Sequence, residues 1–134
     1  MLTRGTHLLV EYLGCPPQLL DDAVALEAAL RGAAQTIGAQ VVTAAFHRFS
    51  PHGVTGMLLL EESHLSVHTW PEHGYAAVDL YTCGASDVER AVPVLAAALG
   101  AQRSELLRVE RGDLTGPHSL HVVAAHQASR ARRP

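Results

Sequence analysis

Residues 61–84 read EESHLSVHTWPEHGYAAVDLYTCG, and this stretch predicts two consecutive strands of a β-sheet. Leu65–Thr69 is short and alternates apolar with polar side chains, and it ends before Pro71, which has no backbone N–H to donate to a ladder. Tyr75–Thr82 alternates between apolar and polar residues, as a half-buried strand does. The few residues between the two segments make them a local hairpin.

The sequence on either side of this hairpin predicts further strands and a second hairpin. Each segment is rich in branched or aromatic residues and is bounded by glycine, proline or other turn residues. Leu120–Ala125, near the end of the chain, is predicted either as an edge strand or as an ordered tail. The other predicted strands are His7–Leu13, Gln40–Phe49, Val54–Glu61 and Glu105–Arg111.

Two segments have the apolar spacing of a helix. Leu19–Ile37 is followed by Gly38 as a stop, and Ser86–Leu99 begins with a good N-cap residue, Ser86, and ends before Gly100. The resulting order, β-α-β-β-β-β-α-β, offers too few helices to cover both faces of a sheet. The chain is therefore predicted to be α+β, a two-layer sandwich of an antiparallel sheet with two helices on one face. Its other face is expected to be polar or buried against a partner.

The composition is that of a globular protein with a single domain, residues 1–134. Hydrophobic residues make up 48% of the chain and the net charge is -3, so nucleic-acid binding, which needs a basic surface, is not expected. The longest apolar runs, such as Val54–Leu60, are too short to span a bilayer. Because the N-terminus has no signal-peptide pattern, the protein is expected to be cytoplasmic, with no membrane partner.

The chain contains no lysine, since all ten basic residues are arginine. This absence excludes a lysine Schiff base with pyridoxal phosphate or with a substrate, and it excludes a phosphate-binding loop of the GKS type. Amine chemistry through a carbonyl group would need that carbonyl from a modified backbone or a loosely held cofactor. The two cysteines, Cys15 and Cys83, are too few for a disulfide framework and are expected to be free thiols.

The dipeptide Glu62-Ser63 is a candidate site of self-cleavage. A serine hydroxyl can attack the carbonyl of the preceding residue when a turn strains that peptide bond, and β-elimination then cuts the chain. The reaction needs a base and a donor that stabilises the oxyanion. His68 is the candidate base, and Thr55 on the preceding strand is the candidate donor. By itself, such a dipeptide is more often an ordinary turn.

Three further residues are candidates for a site. Cys83 ends a strand beside a glycine and is suitably placed for proton transfer, although a buried cysteine is more often a core residue. Phe49 lies next to a turn, where its ring could stack on a planar ligand. Glu72 follows a proline in an exposed loop and is a candidate to bind the hydroxyls of a ribose.

Three stretches of the chain resemble the prokaryotic S-adenosylmethionine decarboxylase proenzymes. The resemblance covers most of the chain, Gly5–Gly112. The first two stretches in register are highly specific, and the third is weaker. They are FHRFSPHGVTG (46–56), ESHLSVHTWPEHGYAAVDLYTCG (62–84) and VERG (109–112).

The resemblance implies a pyruvoyl-dependent decarboxylase of S-adenosylmethionine, which makes the aminopropyl donor for spermidine and other polyamines. The chain is expected to cut itself into a β piece, residues 1–62, and an α piece, residues 63–134. Ser63 is then expected to become the covalent pyruvoyl cofactor. His68 resembles the acid/base of processing, and Cys83 resembles the proton donor to the substrate carbon.

The same resemblance implies binding positions and an assembly. Phe49, Leu65 and Glu72 match positions expected to hold the adenine and ribose of the substrate. The family is expected to form a homodimer with two shared active sites, its sheets packed into an α-β-β-α sandwich. The chain departs from the pattern at Thr55, where serine is expected, and we predict slower processing at most, which a time course of Thr55→Ser would reveal.

Three alternatives remain open at this point. The same pyruvoyl machinery could decarboxylate another amino acid, ornithine or arginine, in a remodelled pocket. The chain could be an uncleaved, non-catalytic homologue with a binding or regulatory role. It could also be a small metal-binding domain, since His64 and His68 share one face of a strand, although no third ligand stands at a recognisable spacing and no metal is expected.

Overall fold

The fold is a seven-stranded antiparallel sheet with its helices packed on one face. The computed structural model describes residues 3–84 and 87–129 of the chain. Along the sheet the strands have the order β2-β3-β4-β5-β1-β6-β7, and every neighbouring pair is antiparallel. The strands are β1 (Gly5–Leu13), β2 (Val41–Arg48), β3 (Val54–Leu60), β4 (Ser63–Trp70), β5 (Tyr75–Cys83), β6 (Arg103–Arg111) and β7 (Leu120–Ser129). The predicted α+β class is confirmed.

The helices differ from the prediction in number and bounds. The structure has α1 (Pro17–Leu20), α2 (Ala23–Thr36) and α3 (Ala91–Leu99), with 3-10 turns at 71–73 and 88–90. The predicted single helix from Leu19 to Ile37 is interrupted because the Asp22 side chain accepts a hydrogen bond from the backbone N–H of Ala25 at 3.0 Å and so begins a new helix. The predicted N-cap, Ser86, lies outside the described residues.

The core lies between the sheet and the two longer helices. Alternate residues of the central strands point toward the helices, as Leu8, Val10 and Tyr12 of β1 do, and they are nearly or completely buried. Leu30 of α2 and Leu95 of α3 belong to the same buried cluster. The phenol of Tyr12 is satisfied there, since it donates a hydrogen bond to the backbone carbonyl of Val92 at 2.8 Å.

The opposite face of the sheet carries no helix among the described residues. Its outward positions mix polar side chains with exposed apolar ones, among them Leu9, Met57 and Leu59, each more than two-fifths exposed. Strand β7 confirms the edge-strand alternative for the end of the chain and extends it to Ser129. No helix in the described part of the chain is long and apolar enough to cross a bilayer.

Candidate active site

The Glu62-Ser63 junction lies in a tight turn at one end of the sheet. Strands β3 and β4 pair directly up to Leu60 and Ser63, so only Glu61 and Glu62 connect them. Glu62 has φ 60°, the one positive value at a non-glycine residue in the described ranges. A left-handed conformation costs an L-residue about 1–2 kcal/mol. The peptide that the sequence marks for cleavage therefore follows a strained residue.

A cavity of about 480 Å³ opens beside this turn. Its lining includes Glu62, Ser63, Thr82 and Cys83, together with residues 37–40 after the end of α2. The volume is within the range of small-molecule sites. The structure thus brings Ser63 and Cys83, two of the three predicted catalytic residues, to one cavity.

Thr82 is a residue of this cavity that the sequence analysis missed. It is 5% exposed, and its hydroxyl has no hydrogen-bond partner among the described residues. Burying a hydroxyl without a hydrogen-bond partner costs free energy. The Thr82 hydroxyl is therefore available to donate a hydrogen bond to a group that forms beside Ser63. The sequence could have pointed to Thr82, because it is a polar residue at an inward-facing position of β5, in line with the apolar Val78 and Leu80.

Four of the other predicted residues lie at the opposite end of the sheet. Thr55 of β3 lies directly across from His68 of β4, and the Thr55 hydroxyl is 3.0 Å from His68 Nδ1. Phe49, just beyond β2, is 47% exposed. Glu72, in the 3-10 turn at 71–73, pairs with His52, whose Nε2 is 2.7 Å from the carboxylate.

Within one protomer the two groups of residues lie apart. Ser63 and His68 are five residues apart on the same strand. At a strand rise of about 3.3 Å per residue, their Cα atoms are separated by roughly 16 Å. The structure therefore joins Ser63 with Cys83 and Thr55 with His68, but it does not bring the candidate base to the candidate nucleophile of its own chain.

Leu65 lies in neither group. Its side chain is fully buried in the core, on the face of β4 that packs toward the helices. Among the described residues it therefore serves core packing, and its side chain has no exposed surface to offer a ligand. Phe46 of β2, unlike the exposed Phe49, packs against the core, and its ring lies close to Gly56 of β3.

A third polar cluster lies in the middle of the open face. His7 Nε2 is 3.4 Å and His64 Nε2 is 3.7 Å from the carboxylate of Asp79, and the Ser66 hydroxyl donates to the same carboxylate. Arg111 Nη1 lies 3.4 Å from His7 Nδ1. Because a guanidinium only donates, that ring nitrogen accepts and the Nε2–H of His7 faces Asp79.

These polar atoms form a hydrogen-bonded network, and the ligand atoms of His7, His64 and Asp79 also lie within 4.8 Å of one another, close enough for a metal ion to contact all three. Partial burial lowers the pKa of His7, while the hydrogen bond with Asp79 acts in the opposite direction. The alternative metal pair, His64 and His68, is four residues apart on one strand, about 13 Å by the strand rise, too far for one ion to reach both. His68 is instead bound to Thr55.

Comparison with known proteins assigns the chain to a family. The family model described as S-adenosylmethionine decarboxylase matches residues 6–112. The chain belongs to this family. A curated relative from Thermotoga petrophila, named S-adenosylmethionine decarboxylase proenzyme, is 46% identical over 114 residues, which cover 84% of this chain and 87% of that protein. A relative of the same name from Pseudomonas paraeruginosa is 41% identical over 128 residues, covering 95% and 79% of the two chains.

Solved structures agree with this assignment. The crystal structure of the adenosylmethionine decarboxylase from Aquifex aeolicus is 35% identical, with a TM-score of 0.77, and covers 89% of this chain and 98% of that one. The Trypanosoma brucei AdoMetDC-delta26 monomer matches with a TM-score of 0.59 at 11% identity, covering 78% of this chain and 45% of that one. At that identity the second likeness concerns the fold alone.

Proposed function

We propose that this chain is a proenzyme that cuts itself between Glu62 and Ser63 and then decarboxylates S-adenosylmethionine, supplying the aminopropyl donor of polyamine synthesis. The observation that carries the proposal is the strained turn at Glu62, placed directly before Ser63 and beside the cavity that holds Cys83. Relatives named as proenzymes of this decarboxylase support it.

Self-cleavage uses groups of the chain itself. The Ser63 hydroxyl attacks the carbonyl carbon of Glu62, and the peptide bond is exchanged for an ester. A base removes the Cα proton of residue 63, and elimination breaks the ester, leaving Glu62 as a carboxylate. Water then displaces ammonia from the new N-terminus and leaves a ketone. The Thr82 hydroxyl, which has no hydrogen-bond partner in the described part of the chain, is a candidate donor to the negative charge that develops during the attack.

After cleavage, the cavity residues fit a pyruvoyl group at position 63. That group supplies a ketone that takes the substrate amine and accepts the electrons left when carbon dioxide departs. Cys83 is only partly buried and lines the same cavity, so its thiol is placed to give a proton to the substrate carbon.

A homodimer would complete the site. In such a dimer the open faces of the two sheets would stack, with a twofold axis between them that runs perpendicular to the strands. Rotation about this axis exchanges the two ends of the strands, so the Ser63 end of one protomer lies over the His68 end of the other. Each site would then take Ser63 and Cys83 from one protomer, and Thr55 and His68 from its partner. This assembly would also cover the exposed apolar residues of the open face, giving an α-β-β-α sandwich.

The substrate-binding residues belong to the His68 end of this composite site. The exposed ring of Phe49 is available to stack on adenine, and the Glu72 carboxylate is available to accept hydrogen bonds from ribose hydroxyls. Both features favour a nucleoside over ornithine or arginine, which have no planar base. We therefore expect Phe49→Ala and Glu72→Gln to weaken substrate binding more than cleavage.

Release of carbon dioxide tests the substrate assignment. Purified protein is incubated separately with S-adenosylmethionine, ornithine and arginine, with the Ser63→Ala variant as the inactive control and Ser119→Ala, on an exposed loop, as the matched control. Release from S-adenosylmethionine alone is expected. Release from ornithine or arginine at a comparable rate would favour the alternative substrates, and release from none would favour a non-catalytic homologue.

A further inference from the structure

The hydroxyl of Tyr81 lies beside the thiol of Cys83, on the same face of β5. The two residues are two positions apart on the strand, and Cys83 Sγ is 3.9 Å from Tyr81 Oη, within hydrogen-bond range for sulfur. We propose that Tyr81 is a positioning residue for Cys83, whose thiol it holds in the direction needed to protonate the substrate carbon. This inference rests on the proposed function.

The surroundings of Tyr81 fix its ring in place. A Cβ atom at Gly5 would lie 2.6 Å from the Tyr81 hydroxyl, so the phenol lies directly across the backbone of β1, in space that only glycine leaves open. The guanidinium of Arg111 sits 4.9 Å from the ring centroid on β6. The rings of His7 and His64 pack at 5.6 Å and 6.0 Å. Neighbours from three strands thus restrain this side chain.

The Tyr81 hydroxyl, held in one position, can form a hydrogen bond with Cys83 both as a thiol and as a thiolate. In the resting chain the Cys83 thiol donates to the hydroxyl oxygen of Tyr81. When the thiol has passed its proton to the substrate carbon, the thiolate can accept the O–H of Tyr81 and later regains a proton from water. Partial burial raises the pKa of Tyr81, which keeps this O–H protonated near neutral pH.

The direction of the thiol matters because a proton can reach the wrong atom. Protonation of the substrate carbon, followed by hydrolysis, releases the product amine and regenerates the ketone at residue 63. Protonation of the carbon that belongs to residue 63, followed by hydrolysis, leaves the nitrogen on residue 63 as alanine and releases the substrate part as an aldehyde. We expect Tyr81 to favour the first outcome by restricting the rotamers of Cys83.

The first test uses chains that cannot form the pyruvoyl group. In a Ser63→Ala background, alkylation of Cys83 by iodoacetamide at neutral pH is followed by mass spectrometry. Burial raises the pKa of the Cys15 thiol to about 11, so Cys15 serves as a slow internal reference. Tyr81→Phe should slow alkylation of Cys83 severalfold, since the thiolate loses a hydrogen-bond donor. Tyr75→Phe, at the other end of β5, is the matched control and should not change the rate.

The second test uses the cleaved enzyme during turnover of S-adenosylmethionine. The quantity measured is the number of α pieces that acquire an N-terminal alanine per molecule of product. Tyr81→Phe is expected to raise this ratio about tenfold, the factor that corresponds to one ordinary hydrogen bond. Gly5→Ala, which displaces the phenol, should raise it as well. A structural role alone would lower activity without changing the ratio.

The outcomes separate this inference from the proposed function. If Tyr81→Phe leaves either the alkylation rate or the alanine ratio at its native value, the positioning role is wrong. If the native chain does not cleave, the proposed function fails, and the alkylation rates alone then decide whether Tyr81 controls the thiol. Melting temperatures of Tyr81→Phe and Tyr75→Phe, compared with the parent chain, establish that both variants are folded.

Discussion

At the scale of single residues, Ser63 and Cys83 share a cavity but serve different steps of the proposed chemistry. Cleavage needs the Ser63 hydroxyl and not the thiol, whereas turnover needs a proton donor beside residue 63. We predict that Ser63→Ala remains a single chain and that Cys83→Ala still cleaves but turns over more slowly by about a hundredfold or more, since a positioned proton-transfer group typically contributes about 10²–10⁴-fold. Denaturing gels and carbon dioxide release measure the two steps. An uncleaved or fully active Cys83→Ala would contradict this division.

His7 gives a second residue-scale prediction, the dependence of stability on pH. Burial lowers the pKa of His7 in the folded protein below its ordinary value of 6.5. The unfolded chain therefore binds more protons below that value, so stability is full above about pH 6.5 and falls as the pH drops toward the folded pKa.

Urea unfolding of the Ser63→Ala chain between pH 8 and 5 measures this dependence. The unfolding midpoint should fall with acidification, and His7→Gln should flatten the curve while His118→Gln, on an exposed loop, should leave it unchanged. A His7→Gln curve as steep as the parent curve would show that other groups cause the loss.

At the scale of elements, the turn between β3 and β4 stores strain that cleavage can use. Glycine adopts φ 60° without the penalty that Glu62 bears. In the uncleaved Ser63→Ala background, Glu62→Gly should therefore stabilise the fold by about 1 kcal/mol. With Ser63 present, the same substitution should slow cleavage. Unfolding curves and a processing time course measure the two effects, with Glu61→Gly as the neighbouring control, and faster cleavage of Glu62→Gly would contradict the role of strain.

Much of the fold could be predicted from short-range pattern. Alternation predicted β5 closely, because a strand with one buried face shows period two in its sequence. The break between α1 and α2 was missed, because the apolar spacing continues across it and only the side-chain cap of Asp22 interrupts the helix. The substrate-binding role of Leu65 was predicted from the family resemblance alone. The alternation of side chains along the strand instead placed Leu65 on the face that the structure shows to be the core.

The candidate site was predictable as a set of residues but not as a set of neighbours. Ser63, His68 and Cys83 lie within twenty-one consecutive residues, which suggests one cluster. An extended strand, however, carries His68 roughly 16 Å from Ser63, whereas the sheet pairing returns Cys83 to the Ser63 end. Tyr81 and Thr82 were missed because their contacts depend on this pairing and on the space left by Gly5.

At the scale of the whole molecule, the separation of the two groups predicts that two defective chains can restore one site. In a mixed dimer of Cys83→Ala and His68→Ala, one composite site carries both defects and the other carries neither. Random assortment of equal amounts should give about a quarter of native activity, since about half of the dimers are mixed and each holds one intact site.

Co-expression of the two variants with different affinity tags measures this restoration. The unfractionated mixture should show the quarter, and the dimer purified through both tags should show about half of native activity, since one of its two sites is intact. Either variant expressed alone serves as the control and should show little activity. A mixed dimer no more active than its parents would mean that Ser63 and His68 do not meet across the interface.

Intact mass of freshly purified native protein under denaturing conditions tests the central claim most directly. The proposal predicts two pieces divided between Glu62 and Ser63, the second with its N-terminus blocked by a ketone. A single chain of 14.3 kDa that remains uncut over days would contradict self-processing and, with it, the assignment of this chain as an active decarboxylase.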